Sequence, residues 1–421
     1  GLEAPDPPHP RLRRALEKTL GVPLFQEQLM QIAIDAAGFT GAEADELRQA
    51  MGAKRSGARM AGLRDRLFAG MAERGITGDS AEEIFTKLSA FASFGFPESH
   101  AVSFAYLVYS SAWLKLHYPA AFCAALLNAQ PMGFWAPQSL VADARRHGVQ
   151  VLRPHVDASA AEASLEWGDD RPACGPVGRP ARQPMVRLGI ESVRSIGEDL
   201  ALRIAESKPY RSVEELVRRA GVGRVQLEAL ATAGALDGLP PRPGAATTGS
   251  RRAALWSAGA IAQGTVDRLP GVITGEEPPA LPQLGVAEEV EADLWATGMT
   301  VGTTAMELAR PLLDRLGVVP AASLGGAEGP RVLVAGVVTH RQRPESAKGT
   351  VFLNLEDDTG MVNVICSPGA WERWRHAARG APALLVRGRL ERTDGVVSVV
   401  AEKISPLELG TTSGPPSQDF R

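Results

Sequence analysis

A β-rich stretch near the carboxyl end, residues 330–404, narrows the choice of fold more than any other part of the sequence. Five short runs rich in Val, Ile and Leu alternate apolar and polar positions, as strands with one buried face do. A helical run, Gly369–Ala378, falls between the third and fourth runs. This order predicts a small closed barrel. The five runs are Arg331–Val338, Thr350–Leu355, Met361–Cys366, Ala383–Leu390 and Val396–Ile404.

Three strands, a helix and two strands is the order of an OB-type β-barrel, a fold that can bind single strands on its outer face. On the second strand aliphatic residues alternate with Phe352 and Asn354, and on the third Asn363 lies between two valines. If the aliphatic set fills the barrel, these three residues face outward and bind single-stranded bases. An exposed Phe on a strand is also common without function, so that alternative stays open. The acidic run Glu356–Gly360 is better explained as a hairpin turn than as a metal site.

Two glycine-containing turns, each followed by an amphipathic run, lie between residues 186 and 240. Gly197 belongs to the first turn, and Gly221, Gly223 and Arg224 belong to the second. Helix, glycine hairpin, helix, repeated once, is a tandem helix-hairpin-helix pattern. Its glycines allow backbone N–H groups to approach a phosphate closely without reading bases. Residues 179–224 hold ten Arg or Lys and six Asp or Glu, so we predict that these four residues bind the DNA backbone independently of sequence.

The first 150 residues are predicted to be mostly helical. Thr40 and Glu43 have the spacing of a capping box. From Arg48 to Arg66 the sequence holds six basic residues and one Asp, and the basic residues include Lys54 and Arg55. Such a run can bind a triphosphate or a nucleic-acid backbone, and it can equally be a solvated helix face.

An aromatic loop inside Phe91–Leu127 separates two predicted helices. Phe94, Phe96 and Phe104 crowd a turn that contains Gly95 and Pro97, and Ser99 and His100 follow at the start of the next helix. Because a helix N-terminus favours an anion, the turn is a candidate phosphate site. A capped helix over an aromatic cluster is the alternative.

Charge and cysteine content exclude several classes of protein. The formal net charge is −3, so nucleic-acid contacts must come from local patches. The three cysteines lie far apart without a CxxC pair, which indicates neither a zinc site nor a disulfide framework. We find no signal peptide and no run long enough to span a membrane, and we expect a reducing cytoplasm. The chain starts at Gly1 without a methionine, so we expect part of a longer protein.

Several motifs in family order resemble the C-family bacterial replicative polymerases, the alpha subunits of DNA polymerase III. The motifs are GVPLFQEQLMQIA from Gly21, ADELRQAMGAKR from Ala44, FASFGFPESHAVSFAYLVYSSAWLK from Phe91 and LGIESVRSIGEDLA from Leu188. The resemblance covers nearly the whole chain as fingers, helix-hairpin-helix region and OB domain. The third motif and the ending Asp419-Phe420-Arg421 resemble the error-prone, damage-inducible paralogue more than the housekeeping subunit.

The resemblance implies that Arg48, Lys54 and Arg55, with Ser99 and His100, handle the incoming deoxynucleoside triphosphate and the template. Gln49 departs from the family, where a second arginine is expected, and this loss of charge should weaken triphosphate binding. A clamp-binding QxxLF peptide is absent after the hairpins, which again favours the error-prone branch. The implied partners are a DNA primer–template, its single-stranded template, accessory proteins of translesion synthesis and, through them, the sliding clamp, with no membrane.

Polymerase chemistry needs two metal ions held by palm carboxylates. The family places those aspartates before the fingers, and no Asp-x-Asp precedes Gly21. We therefore expect no catalytic residue, metal ligand or cofactor in this chain, magnesium ions in the missing palm, and no polymerisation by the chain alone.

The sequence thus predicts a multidomain α+β protein that is the C-terminal part of an error-prone DNA polymerase. The housekeeping alpha subunit, a non-catalytic DNA-binding adaptor and a structural scaffold are the alternatives. The predicted regions are fingers at 1–150, a short strand and loop at 151–185, tandem helix-hairpin-helix at 186–240, linker and helical brace at 241–329, OB-fold at 330–405 and tail at 406–421.

Overall fold

The computed structural model describes residues 9–51, 56–91, 97–133, 135–168, 183–241, 250–262, 278–344, 347–393, 395–409 and 418–420. The chain divides into two compact units, residues 1–113 and 114–421. Helix α6 (Glu98–His117) contains the boundary between them.

Unit 1 is helical, as predicted. Gly38 ends the second helix in the left-handed conformation, and the predicted capping box at Thr40 is confirmed. The Thr40 amide donates to Glu43 Oε2 at 2.7 Å, and the Glu43 amide donates to Thr40 Oγ1 at 3.2 Å. The helices enclose an aliphatic core that includes Leu29, Leu47 and Leu67. They are α1 (Arg13–Leu16), α2 (Gln26–Ala37), α3 (Gly41–Met51), α4 (Ser56–Glu73) and α5 (Asp79–Phe91).

Unit 2 begins with two helices that share a core with a small sheet. Cys123, Val141, Val151 and Val186 are buried together in this core. The strands run in the order β1-β3-β2, with β3 parallel to β1 and antiparallel to β2. Residue 150, the predicted boundary of the fingers region, therefore lies inside one packed group. Its elements are α7 (Pro119–Asn128), α8 (Pro137–Arg146), β1 (Val151–Leu152), β2 (Ser164–Glu166) and β3 (Met185–Arg187).

Five helices form the next core. The predicted tandem helix-hairpin-helix is confirmed, although a short 3₁₀ turn, Ile190–Ser192, stands where the first unit would have a leading helix. The helices are α9 (Glu198–Glu206), α10 (Val213–Ala220), α11 (Arg224–Thr232), α12 (Arg251–Ile261) and α13 (Val286–Thr297).

Helix α12 is part of this core, although the Pro- and Gly-rich composition around it suggested a linker. Ala254, Ala258 and Ile261 are buried against the hairpin helices. Arg251 Nη1 donates to Asp293 Oδ1 at 2.7 Å, and the two side chains are 7% and 6% exposed. This ion pair links α12 to α13 inside the domain.

The carboxyl-terminal region is the predicted OB-type barrel. Its strands run in the order β5-β6-β8-β7-β4, and β4 pairs with β5 to close the ring. Strands β6 and β8 are parallel, and the other neighbouring barrel strands are antiparallel. The elements are α14 (Ala305–Arg315), β4 (Arg331–Gln342), β5 (Val351–Glu356), β6 (Met361–Cys366), α15 (Pro368–Gly380), β7 (Ala383–Thr393) and β8 (Val396–Pro406).

One helix and one short strand pack against the outside or the edge of β4. Helix α14 packs Met306 and Leu313 against Ala335 on the outside of β4. Within the predicted tail, a short strand β9 (Gln418–Phe420) pairs parallel to His340–Gln342 of β4.

Candidate nucleic-acid interface

Two turns in the hairpin domain have the same backbone geometry. The first hairpin is Ser195–Gly197 and the second is Gly221–Gly223. Ser195 and Gly221 are left-handed, with φ of 65° and 68°. Gly197 and Gly223 cap the following helices, with φ/ψ of −90°/170° and −79°/172°. The middle residues, Ile196 and Val222, are buried in the domain core. Each hairpin therefore presents the N-terminus of a helix at the surface.

The two helix N-termini differ in charge. Glu198 and Asp199 occupy the first turn of α9, whereas the first turn of α11 has no acidic residue and begins with Arg224. Arg224 is 70% exposed and its Nε donates to Glu228 Oε1 at 2.7 Å. Because free helix N–H groups attract anions and nearby carboxylates repel them, the second hairpin is electrostatically the more favourable of the two for an anion.

The barrel offers a separate surface, its outer face on β4, β5, β6 and β8. Val351, Leu353 and Leu355 are buried in the barrel core, whereas Phe352 and Asn354 are half-buried. Asn363 is exposed. The burial pattern thus agrees with the predicted outward direction of the three residues.

Strand pairing arranges the outer face in rows. One row holds polar side chains in register from β4 to β8: His340, Asn354, Asn363 and Ser398. The neighbouring row holds Gln342, Phe352, Ile365 and Val400. Directly paired residues project on the same side of a sheet, so the half-buried Phe352 ring lies in the row next to the side-chain amides of Asn354 and Asn363. This is a surface suited to stacking and hydrogen bonding.

The acidic run after β5 forms a hairpin turn, as predicted. Asp357 Oδ1 accepts hydrogen bonds from the amides of Thr359 at 2.7 Å and Gly360 at 2.8 Å. Arg310 of α14 donates to both Asp357 and Asp358. These carboxylates fasten the turn to α14. Among the described residues no group of three or more His, Cys, Asp or Glu is placed to hold a metal ion.

The basic patch of unit 1 is partly neutralised by carboxylates from other positions. Arg48 Nε donates to Asp45 Oδ1 at 2.8 Å, and Gln49 Nε2 donates to Asp45 Oδ2 at 2.8 Å. These two hydrogen bonds, from Arg48 first, lower the pKa of Asp45. A triphosphate at Arg48 would therefore compete with Asp45.

Two further arginines of the patch are paired. Arg64 Nη2 lies 2.7 Å from Glu82, and Arg66 Nε lies 2.9 Å from Glu43. Hydrogen bonds from the Thr40 amide and then from Arg66 lower the pKa of Glu43 to about 2. Lys54 and Arg55 lie outside the described residues, so their predicted role stays a prediction.

The predicted phosphate turn already has a carboxylate at its helix N-terminus. The Glu98 amide donates to Glu27 Oε2 at 2.8 Å. Ser99 and His100 are exposed in the first turn of α6, and the His100 ring lies 4.4 Å from the Phe104 ring. Phe94 and Phe96 lie outside the described residues. An anionic ligand would displace Glu27 or bind beside it.

The described thiols are structural. Cys123 and Cys366 are buried free cysteines. Burial raises the pKa of Cys123 to about 11 and that of Cys366 to about 12. Among the described residues we find no helix that is both long enough and apolar enough to cross a membrane.

Comparison with known proteins identifies three domains. Residues 1–75 match the bacterial DNA polymerase III alpha subunit finger domain. Residues 148–245 match a helix-hairpin-helix motif, and residues 332–407 match an OB-fold nucleic acid binding domain.

Relatives match along the whole chain. The error-prone DNA polymerase of Nocardia farcinica is 56% identical over 98% of this chain and 35% of its own length. The error-prone DNA polymerase of Corynebacterium efficiens is 51% identical over 100% of this chain and 37% of its own length. The chain is a relative of the error-prone C-family DNA polymerases. It spans little more than a third of the length of the curated relatives it matches.

Similarity to solved structures is local. The replication protein A heterotrimer bound to single-stranded DNA shares 23% identity, covering 21% of this chain and 69% of that chain, with a TM-score of 0.16. At that score the likeness supports no functional inference.

In this relative of the error-prone polymerases, some structural residues had no sequence signal. Arg251, Asp293 and Arg310 are charged residues in helices of unremarkable pattern, and only the fold shows that they are buried or paired. Ser195 could have been found, because it precedes an apolar residue and a glycine as Gly221 does.

Proposed function

We propose that this chain is the DNA-gripping part of an error-prone DNA polymerase that carries out DNA-templated nucleotidyl transfer during translesion synthesis. The second hairpin carries the proposal, because it combines a free helix N-terminus, an exposed arginine and no carboxylate in the first turn. The error-prone DNA polymerases of two organisms, more than half identical to this chain, support the assignment.

The second hairpin would bind the duplex part of a primer–template. Backbone N–H groups of α11 donate to a phosphate oxygen, and Gly223 leaves room for that approach. Arg224 adds a charge that can leave Glu228 for the phosphate, since an exposed ion pair costs little to break. Contacts of this kind do not depend on sequence, which suits a polymerase. Gly197 stays a weaker candidate beside Glu198 and Asp199.

The outer face of the barrel would hold the single-stranded template. Phe352 supplies a ring on which a base can stack, and Asn354 and Asn363 supply donors and acceptors beside it. The template would thus be bound on one domain while the duplex is bound on another.

The fingers would receive the triphosphate. Arg48 and the start of α6 at Ser99 and His100 are proposed to contact it, together with Lys54 and Arg55. Asp45 is the carboxylate that the triphosphate must replace at Arg48. We propose that the chain's own part in catalysis is binding and positioning, and that the magnesium ions are held by palm carboxylates in another part of the polymerase.

Accessory proteins of translesion synthesis, and the sliding clamp through them, are the proposed protein partners, and the cytoplasm is the proposed location. The housekeeping subunit is the second candidate, and direct binding of this chain to a sliding clamp would favour it.

The test compares a blunt duplex with the same duplex carrying a single-stranded overhang of about 12 nucleotides, within the ~4–16 that one OB fold covers. We expect the overhang to tighten binding, and Phe352→Ala to remove that gain without affecting the blunt duplex. Equal affinity for both DNAs would refute the template role of the barrel. Failure to bind either DNA would refute the grip itself.

A further inference from the structure

A bulge in β4 sets which side chains reach the outer face of the barrel. Val338 pairs with Leu355, and His340 pairs with Asn354, so Thr339 is the extra residue in the register between β4 and β5. Its hydroxyl donates to the Asn354 carbonyl oxygen at 3.2 Å. A bulge of this kind redirects the residues that follow it. His340 and Gln342 therefore fall in register with the outward residues Asn354 and Phe352.

Arg341 takes the opposite side. Its guanidinium donates to the carbonyl oxygens of Ala378 at 2.8 Å and Ala381 at 2.7 Å, at the carboxyl end of α15. A cation there is stabilised by the helix dipole. The bulge thus has a structural anchor on the inside, and on the outside it adds His340 to the polar row.

A tryptophan from outside the OB domain lies against this added residue. Trp135, in the connection from α7 to α8, has its ring centroid 4.9 Å from that of His340 at an interplanar angle of 78°. His340 is buried, whereas Trp135 is 40% exposed. The matched OB domain begins only at residue 332, so the domain family does not account for Trp135.

There is space beside this pair. A cleft of about 300 Å³ begins at Ala136 and Thr339, the chain neighbours of Trp135 and His340. Its charged lining pairs Arg145 with Glu307 at 3.5 Å and Arg146 with Glu356 at 2.9 Å, and it also includes Asp357 and Asp358. A partly exposed ring that meets its neighbour at a near right angle, beside open volume, can serve as a stacking platform for a nucleobase.

We propose that Trp135 stacks a base of the single-stranded template and extends the binding face of the barrel past β4. The inference rests on the proposed function, since it lengthens the path that Phe352, Asn354 and Asn363 begin. Every nucleobase has a π face, so the contact tolerates any template sequence. The simpler role is that Trp135 only packs the α7–α8 connection onto His340. In that case Trp135→Leu should leave the affinity for DNA unchanged.

The experiment measures binding of the whole chain to single-stranded DNA and to the same strand with abasic positions. Trp135→Leu keeps apolar bulk but cannot stack, and Trp135→Phe keeps a ring. We expect Trp135→Leu to weaken binding about tenfold and Trp135→Phe to weaken it much less. Abasic substitution should weaken wild type and have little further effect on Trp135→Leu.

Trp167→Leu is the matched control, because Trp167 is 41% exposed and follows β2 of the three-stranded sheet. Thermal unfolding checks that each variant folds. If Phe352→Ala weakens binding and Trp135→Leu does not, the role of Trp135 is refuted and the barrel face stands. If neither variant weakens binding, the proposed template face fails as well.

Discussion

Replacing Gly223 by Ala should damage DNA binding without damaging the fold. Gly223 has φ of −79°, which Ala adopts without strain. A Cβ at this position meets only the Gln226 side chain, at 2.7 Å from Oε1, and that side chain can move. Replacing a glycine at the N-cap of a helix by alanine lowers stability by about 1 kcal/mol.

The effect on binding follows from the phosphate contact. A methyl at the N-cap adds bulk beside the first N–H groups of α11 and should hinder the close approach of a phosphate. Loss of one charge-assisted hydrogen bond costs about 1.5–3 kcal/mol. That is a weakening of roughly 10- to 100-fold at about 1.4 kcal/mol per factor of ten. Each phosphate neutralised by Lys or Arg contributes about 0.9 to the slope of log K against log salt, so the slope should fall by about 1 only where Arg224 loses the same phosphate.

Gly197→Ala is the matched control. Gly197 caps α9 with φ of −90°, and no atom lies within 4 Å of a Cβ built there. Its cost in stability should equal that of Gly223→Ala. Because Glu198 and Asp199 repel a phosphate from α9, we expect binding within about 0.5 kcal/mol of wild type. Both affinities are read from fluorescence anisotropy with a labelled duplex. Equal losses in both variants, or none in Gly223→Ala, would refute the asymmetry between the hairpins.

Three further predictions concern stability and reactivity. Asp293→Ala should lower the free energy of unfolding in urea by about 3–5 kcal/mol, because it leaves the buried Arg251 without its carboxylate. The double variant Arg251→Met with Asp293→Leu removes both charges and should cost far less. Equal costs for the two variants would contradict a buried ion pair. Glu43, with its pKa lowered to about 2, should add stability to the wild type above about pH 4.5 that is lost as the pH falls toward 2. Glu43→Gln should reduce the loss of stability between about pH 4.5 and pH 2, and an unchanged pH dependence of unfolding would contradict this. Cys123 and Cys366, with raised pKa values of about 11 and about 12, should resist iodoacetamide at pH 8 in peptide mass spectrometry until the chain unfolds.

The barrel could be predicted because its information is local. Alternation along each strand places Leu353 inside and Phe352 outside, and strand order then leaves few topologies. The position of the bulge could not be predicted, since the one glycine of β4, Gly336, lies three residues before Thr339. It decides whether His340 faces the barrel core or the outer face.

The charge patterns were less informative, because partners come from distant positions. The run from Arg48 to Arg66 reads as strongly basic, yet Glu82 lies 18 residues from Arg64 and pairs with it.

The burial of helix α6 could not be predicted from its composition either. Its sequence is apolar on all sides, which usually indicates burial, whereas the structure leaves none of its residues buried.

The two hairpins show what a glycine pattern does and does not determine. The backbone turn is the same at Ser195 and Gly221, so the shape could be predicted from an apolar residue between small ones. The function depends on the next residues, Glu198 in one case and Arg224 in the other. A phosphate site therefore has to be inferred from charge at the helix N-terminus as well as from the turn.

The most direct test of a DNA grip is the affinity of the intact chain for a labelled primer–template, measured by fluorescence anisotropy across a range of salt concentrations. We expect binding whose log K falls linearly with log salt, with a slope of about −2 or steeper, as two or more charged phosphate contacts require. Absence of binding at low salt, or affinity independent of salt, would contradict it.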